Sequence, residues 1–498
     1  MFLFMLNFKQ NNLFHQIDQV SGLHETKLAF RSNEGEITYG QLRFDSDSVS
    51  RYLIKYFPTG PIIVFGHKSP QMLSGILGAA KAGCAYIPID TSFPQGRIED
   101  IISASGATLV LDCSHGKVPS LSIPIVSVPI KDAPDYSPGE ARPFVDGAKI
   151  VYIIFTSGSS GRPKGIEVSH DNLLAFVDWS LRTFIKGRQL QFLNQAPFSF
   201  DLSVMELYSA LVTGGSIYGI SKNEIYSPKK LFERLYSEPI EFWVSTPSFV
   251  DFCLKEPTFC FEKMKRIKTL WFCGEVLKKS TAFALLDRFP KCEIYNTYGP
   301  TEATVAVTSV LVTPEILQKY DSIPLGRTNQ NAQIHLATTE RSQLKEIVIT
   351  GPQVARGYHR SPELTSAAFF KSGDDHCYRT GDAGFLFDDF LFYQGRIDLQ
   401  VKINGHRVEI GEIESKLIQL AGVERAIVLV VEINQMPTLV AVLETQDESE
   451  ALQQNIRKQL ALTLPDYMLP RFFYTVPELP LNTNGKVDRL AAAGYVRL

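Results

Sequence analysis

Over roughly its first 390 residues the chain alternates short apolar runs with amphipathic stretches, a pattern that confines it to α/β architectures. PIIVF (61–65), AYIPI (85–89) and TLVL (108–111) read as buried strands. Around them, 37–57 opens with ITYGQL and carries Leu42, Val49, Leu53 and Ile54 near helical spacing. The stretch 71–84 reads as a helix rich in small residues, and 94–104 is helical again. This order predicts a large α/β domain with a largely parallel sheet. A stretch rich in Pro, Gly, Asp and Glu (131–147) reads as a surface loop before the strand KIVYIIF.

After Gly395-Arg396-Ile397-Asp398 the pattern changes. A β-rich stretch leads to a helix (411–420), two strand-like runs, RAIVLVVEI and TLVAVLE, and a second helix near 450–463. Such a tail of about 100 residues predicts a small α+β domain. The boundary is placed at Asp398, giving a large domain over 1–397 and a small one over 398–498. There is no internal repeat or low-complexity tract.

Composition narrows the function classes. Lys and Arg number 50 against 53 Asp and Glu, a net charge of −3, which lacks the basic footprint of a nucleic-acid binder. The seven cysteines are odd in number and none has C-x-x-C spacing, so reduced thiols are expected, with neither a zinc site nor a disulfide framework. The N-terminal MFLFMLNFKQ has no basic residue before its apolar run and no small-residue cleavage site after it. The chain is therefore expected to be unexported and cytoplasmic. No apolar stretch is long enough to span a bilayer, so no stable membrane insertion is expected.

Five local motifs carry chemistry. Thr156-Ser157-Gly158-Ser159-Ser160-Gly161-Arg162-Pro163-Lys164-Gly165 follows the strand over 150–155. Its glycines and hydroxyls expose donors suited to phosphate oxygens, although neither the Walker A spacing nor G-x-S-x-G is present. A plain surface loop has the same composition. Asn296-Thr297-Tyr298-Gly299-Pro300-Thr301-Glu302 places a hydroxyl and a carboxylate after a rigid turn. Glu302 suits Mg2+, a hard cation, and Tyr298 can stack on a base; a Gly-Pro turn with Thr301 as a helix cap is the plainer reading. In Tyr378-Arg379-Thr380-Gly381-Asp382-Ala383-Gly384, Asp382 can accept from both ribose hydroxyls or simply shape a turn. Tyr393-Gln394-Gly395-Arg396 offers a guanidinium to ribose or phosphate. Asn482-Thr483-Asn484-Gly485-Lys486-Val487-Asp488 reads as a hairpin with Lys486 near its tip, which by itself describes a solvated lysine.

In this order the five motifs resemble the core motifs of the adenylate-forming superfamily, which includes acyl-CoA synthetases, luciferases and the adenylation domains of peptide synthetases. The resemblance runs from ITYGQL to NGKVDR. Within it, Asn194-Gln195-Ala196-Pro197-Phe198-Ser199-Phe200-Asp201-Leu202-Ser203-Val204-Met205-Glu206, Ser245-Thr246-Pro247-Ser248-Phe249, Phe272-Cys273-Gly274-Glu275-Val276-Leu277, Thr301-Glu302-Ala303-Thr304-Val305-Ala306-Val307-Thr308 and Leu464-Pro465-Asp466-Tyr467-Met468-Leu469-Pro470-Arg471-Phe472 are similar to the D-alanine–D-alanyl carrier protein ligases. Two departures are small. Ser160 stands where that family often has Thr, and Gly411 stands where a bulkier or acidic residue is common.

The resemblance implies activation of D-alanine with ATP and Mg2+, then transfer to the phosphopantetheine thiol of a D-alanyl carrier protein, for D-alanylation of lipoteichoic acid. Another small amino acid is the alternative substrate. The resemblance assigns Thr156, Ser157, Gly158, Ser159, Ser160, Gly161 and Lys164 to the phosphates, and Asn296, Thr297, Tyr298, Gly299, Pro300 and Thr301 to the adenine and α-phosphate. It assigns Glu302 to the metal, Asp382 and Arg396 to the ribose, and Tyr393, Gln394 and Gly395 to ATP. Lys486 would bridge substrate carboxylate and nucleotide, carried by a small domain that turns about a hinge at Asp398. The resemblance pairs Asp201 with the substrate ammonium, whereas the residues alone favour the N-cap of the helix in LSVMELYSAL. Cys273 and Val305 would complete the amino-acid pocket. Only 12 residues follow Lys486, so the carrier is expected to be a separate molecule.

Overall fold

The computed structural model describes the chain apart from residues 1–11, 58, 132, 134–143, 159–161, 340–341, 399, 404, 434–435, 448, 481–486 and 497–498. The N-terminal apolar run, most of the 131–147 loop, Ser159, Ser160, Gly161 and the Lys486 hairpin tip lie outside the described residues. The chain divides into two compact units. One comprises Met1–Thr91, Ser105–Ile154 and Gly165–Ile397; the other comprises Ser92–Ala104, Phe155–Lys164 and Asp398–Leu498.

The larger unit is built on extended sheets. One has nine strands, in the order Arg327–Thr328, Thr308–Leu311, Glu293–Tyr298, Thr269–Phe272, Phe242–Ser245, Gln191–Asn194, Ser216–Gly219, Leu28–Ser32, Gly35–Thr38. It is parallel from Glu293–Tyr298 through to Leu28–Ser32. Another has seven strands, with Ile62–Gly66 between Tyr86–Asp90 and Leu109–Asp112 in parallel register. Every residue of Ile62–Gly66, Tyr86–Asp90 and Phe242–Ser245 is buried, as parallel strands covered on both faces require. The helix Pro70–Lys81 starts where expected because Ser69 accepts the Met72 N–H and proline occupies the first turn.

A third sheet is antiparallel and does not follow from the β-α-β alternation. Its five strands are Gln333–Thr339, Ser342–Thr350, Phe369–Ser372, Asp375–Phe387 and Phe390–Arg396. The last two form a hairpin whose turn is Asp388-Asp389, both at positive φ (50° and 62°).

In the smaller unit, Arg425–Ile433, Met436–Glu444 and Phe472–Val476 form a three-stranded sheet. The helices Ile410–Leu417 and Glu450–Ala461 pack on it through Ile413, Leu417, Ile456 and Leu460, against Val428, Leu439 and Ala441. The seven cysteines form no disulfide with one another.

Candidate functional site

The motif residues of the larger unit gather at one edge of the nine-stranded sheet. Asp201 follows the C-terminal end of Gln191–Asn194, Thr246 that of Phe242–Ser245, Cys273 that of Thr269–Phe272, and Gly299 that of Glu293–Tyr298. In open α/β sheets this carboxyl edge is where ligands bind, because loops there are free to vary over a fixed frame. The convergence is close: a Cβ on Gly274 would lie 3.6 Å from Thr246 Cγ2 and 3.8 Å from the Phe200 ring.

Asp201 is 6% exposed and opens the short 3-10 helix Asp201–Ser203. It is not an N-cap. The cap positions are Phe200 and Ser203, and neither makes a side-chain cap bond. Nearby, Tyr152 is fully buried and, among the described residues, its hydroxyl has no partner. Burial first, then the charges of Tyr86 and Asp201, push the Tyr152 hydroxyl well above its ordinary pKa.

Cys273 is buried, and its thiol donates to the Val305 carbonyl at 3.8 Å. Val305 and Thr304 are consecutive non-glycine residues at positive φ (73° and 51°). A β-branched residue adopts that region only when its surroundings impose it. Here they do. Thr304 Oγ1 donates to the Gln353 carbonyl (2.6 Å), Gln353 Nε2 donates to the Ala306 carbonyl (2.8 Å), and Val307 N–H donates to Tyr298 (2.8 Å). Gly299 lies so close beneath this turn that a Cβ would sit 2.5 Å from Ala306 Cα.

The hairpin of the third sheet supplies the polar end. Asp382 and Arg396 are directly paired in register, and Arg396 Nη1 meets Asp382 Oδ1 at 2.6 Å. Tyr298 donates its hydroxyl to Asp382 Oδ2 at 2.7 Å. Each carboxylate oxygen keeps a second lone pair, so Asp382 retains capacity for two ribose hydroxyls. Burial, with the Asp382 charge second, holds the Tyr298 hydroxyl well above its ordinary pKa. Asn296 and Thr297 brace the frame: Asn296 Nδ2 donates to the Pro324 carbonyl and Thr297 Oγ1 to the Phe272 carbonyl, both at 2.8 Å. Glu302 is fully buried and accepts from the Tyr358 hydroxyl at 2.8 Å. Tyr393 is half-buried and Gln394 exposed.

In the smaller unit the stem of the glycine-rich loop is held by side chains and backbone of the C-terminal segment. Gly158 N–H donates to Glu412 Oε2 at 3.0 Å, and Glu412 Oε1 pairs with Arg97, both side chains being buried. Ser157 donates to the Arg407 carbonyl (2.8 Å) and accepts from the Glu409 N–H (2.9 Å). Lys164 pairs with Glu409 at 3.3 Å. A Cβ at Gly158 would lie 2.1 Å from the Arg162 carbonyl oxygen, so the loop closes only on glycine. Among the described residues, the buried Thr156 hydroxyl has no hydrogen-bond partner.

A family model described as the AMP-binding enzyme matches residues 18–359, and one described as the AMP-binding enzyme C-terminal domain matches 412–486. The D-alanine--D-alanyl carrier protein ligase of Bacillus cereus (strain B4264) is 41% identical over 493 residues, spanning 96% of this chain and 98% of that protein. The chain belongs to the D-alanine–D-alanyl carrier protein ligase family of AMP-binding enzymes. As an AMP-binding adenylating enzyme, the ligase uses ATP. Among solved structures, it is similar to holo-PA1221, a peptide-synthetase protein with adenylation and carrier domains bound to a vinylsulfonamide inhibitor. The TM-score is 0.83 at 26% identity, over 99% of this chain and 85% of that one. The Vibrio cholerae adenylation domain AlmE, solved with glycyl-adenosine-5'-phosphate, shares the fold (TM-score 0.80, 21% identity, 97% of each chain). Among the described residues of the ligase, no helix is long and apolar enough to cross a membrane.

Several residues bonded to the motif residues or buried beside them, in one unit or the other, escaped the motif reading: Lys68, Arg97, Tyr152, Gln353, Tyr358 and Glu412. Lys68 carried a signal, a lysine two residues after the glycine that ends an all-apolar strand. Gln353 and Tyr358 carried none, because their partners are distant in sequence.

Proposed function

We infer that this chain activates D-alanine with ATP, forming D-alanyl-AMP and pyrophosphate, and passes the D-alanyl group to the phosphopantetheine thiol of a separate carrier protein, for D-alanylation of lipoteichoic acid. The observation that carries this reading is kinship with the Bacillus cereus ligase over nearly the whole of both chains. The buried Asp201 at the sheet's carboxyl edge supports an amino-acid substrate over a plain fatty acid, which has no ammonium to pair with it.

In the first step a substrate carboxylate oxygen attacks the α-phosphorus, and the bond from that phosphorus to the bridging oxygen of pyrophosphate breaks. This chemistry needs positioning and charge neutralisation more than covalent help. Asp382, oriented by Arg396 and Tyr298, would hold the ribose. The loop at 156–161 and Lys164 would hold phosphates, and Lys486 would bridge the substrate carboxylate and nucleotide, a task suited to a compact ammonium. Glu302, a buried oxygen donor oriented by Tyr358, fits Mg2+, which is normally shared with phosphate oxygens and water. The ion would neutralise charge on the phosphates. In the second step the thiol sulfur attacks the acyl carbon, its proton leaves, and AMP departs. Asp398, where the last stretch of the smaller unit begins, is the proposed hinge between the two half-reactions.

The test is ATP–pyrophosphate exchange with D-alanine, L-alanine, glycine, D-serine and propionate in parallel. Strongest exchange with D-alanine and weak exchange with propionate is expected. A different preferred amino acid would remove the cell-envelope role and keep the chemistry. No exchange with any of them would overturn the reading.

A further inference from the structure

Lys68 is a buried cation that the mechanism above does not use. It lies between the strand Ile62–Gly66 and the helix Pro70–Lys81, is 1% exposed, and has a positive φ of 47°. Its Nζ donates to three backbone carbonyls: Asn194 (3.3 Å), Gln195 (2.5 Å) and Ile220 (2.5 Å). Among the described residues none of these partners is a carboxylate. Three acceptors match the three N–H bonds of an ammonium, whereas a neutral amine has only two to give. Burial pushes Lys68 down to about 7, while the charges of Glu206, Asp90 and Glu224 pull the other way.

The three carbonyls are not scattered. Asn194 ends one parallel strand, Ile220 follows the neighbouring strand Ser216–Gly219, and Gln195 begins the segment that leads to Asp201. Beyond Gln195 that segment is braced by its own bonds. Asn194 Nδ2 donates to the Ala196 carbonyl (3.0 Å) and to Glu206 Oε1 (2.5 Å), Phe200 N–H to Pro197 (2.9 Å), and Ser203 N–H to Phe200 (3.0 Å). The bracing fixes the shape of 194–203, and Lys68 fixes where its root sits.

We propose that Lys68 is a positioning residue for the amino-acid end of the site: its ammonium anchors the root of the 194–200 segment and thereby sets the position of Asp201. This rests on the reading that Asp201 meets the substrate ammonium. A displaced Asp201 weakens capture of the amino acid and leaves the ribose-binding hairpin untouched.

The experiment compares wild type, Lys68→Met, Asp201→Asn and the double variant in ATP–pyrophosphate exchange, varying D-alanine and ATP separately. Lys68→Met is expected to raise the D-alanine KM about tenfold, the usual effect of losing a charged hydrogen bond, with the ATP KM within about twofold. The double variant should match Asp201→Asn, because a residue acting through Asp201 adds nothing once that carboxylate is gone. An unchanged D-alanine KM in Lys68→Met beside a raised one in Asp201→Asn overturns the Lys68 proposal alone. An unchanged D-alanine KM in Asp201→Asn overturns the underlying reading of the site. Additive effects in the double variant, or equal rises in both KM values, reduce Lys68 to general scaffolding. Should Lys68→Met give no folded protein, Lys68→Gln, which keeps two N–H donors, is read by the same criteria.

Discussion

Asp382 and Arg396 face each other across a hairpin and close to 2.6 Å, with the Tyr298 hydroxyl on the other carboxylate oxygen. Removing the guanidinium leaves a carboxylate that is 3% exposed with its charge unbalanced. Arg396→Ala is therefore expected to raise the ATP KM by about ten- to a hundredfold, from roughly 1.5–3 kcal/mol for a charged hydrogen bond. The amino-acid KM at saturating ATP should change little. Exchange assays with ATP as the varied substrate check this.

Asp201→Asn removes the charge and keeps the shape. Loss of the proposed buried pair with the substrate ammonium would cost roughly 3–5 kcal/mol, about a hundredfold or more in D-alanine KM. The preference for D-alanine over propionate should shrink with it. A preserved preference would count against Asp201 as the ammonium partner.

Cys273 touches the strained Val305 carbonyl and stands near the proposed substrate methyl. Crowding of the L enantiomer there would amount to roughly 1–3 kcal/mol. Cys273→Ala should narrow the D/L ratio of kcat/KM; an unchanged ratio would sink the idea.

Glu412 is fully buried and holds both Arg97 and the Gly158 N–H. Glu412→Ala strands the buried guanidinium of Arg97 and should destabilise the smaller unit by roughly 3–5 kcal/mol. Thermal melting and hydrogen exchange over Ile410–Leu417 measure the loss. Unaltered exchange there would mean that the pair contributes no stability.

Glu206 gives a pH prediction. Burial raises its carboxyl from an ordinary 4.5 to about 8, against the Asn194 hydrogen bond, a backbone hydrogen bond and the Lys68 charge, which lower it. The folded chain therefore keeps a proton that the unfolded chain releases above 4.5. This contribution to stability is complete below 4.5 and is lost as pH rises through 8. Glu206→Gln keeps an acceptor for Asn194 and cannot ionise. Its melting temperature should fall less than that of the wild type between pH 5 and pH 8, a window of roughly three units set by this shift. Parallel melting curves that do not diverge would contradict the shift.

Much of the fold was legible because its strands are apolar from end to end. The strand Ile62–Gly66, the helix Pro70–Lys81 and the strand Tyr86–Asp90 lie within a residue or a few of their expected places. The third sheet was not legible: Asp375–Phe387 and Phe390–Arg396 alternate with no intervening helix, and their partner Ser342–Thr350 lies far back in sequence. Asp201 illustrates a local rule overridden. Its position before a helical run reads as a cap, but the chain enters the helix through a 3-10 turn, and the carboxylate stands inside that turn.

The sequence alone determined the residue types of the site, their order and the parallel frame, because periodicity and short motifs are properties of neighbours along the chain. Tertiary structure decided which groups meet. It joined Asp382 to Arg396 and Tyr298, turned Val305 to positive φ under Gln353, and set Lys68 beneath the root of the Asp201 segment. Those contacts span from 14 to more than 100 residues, and only burial of the sheets brings their partners within hydrogen-bonding distance.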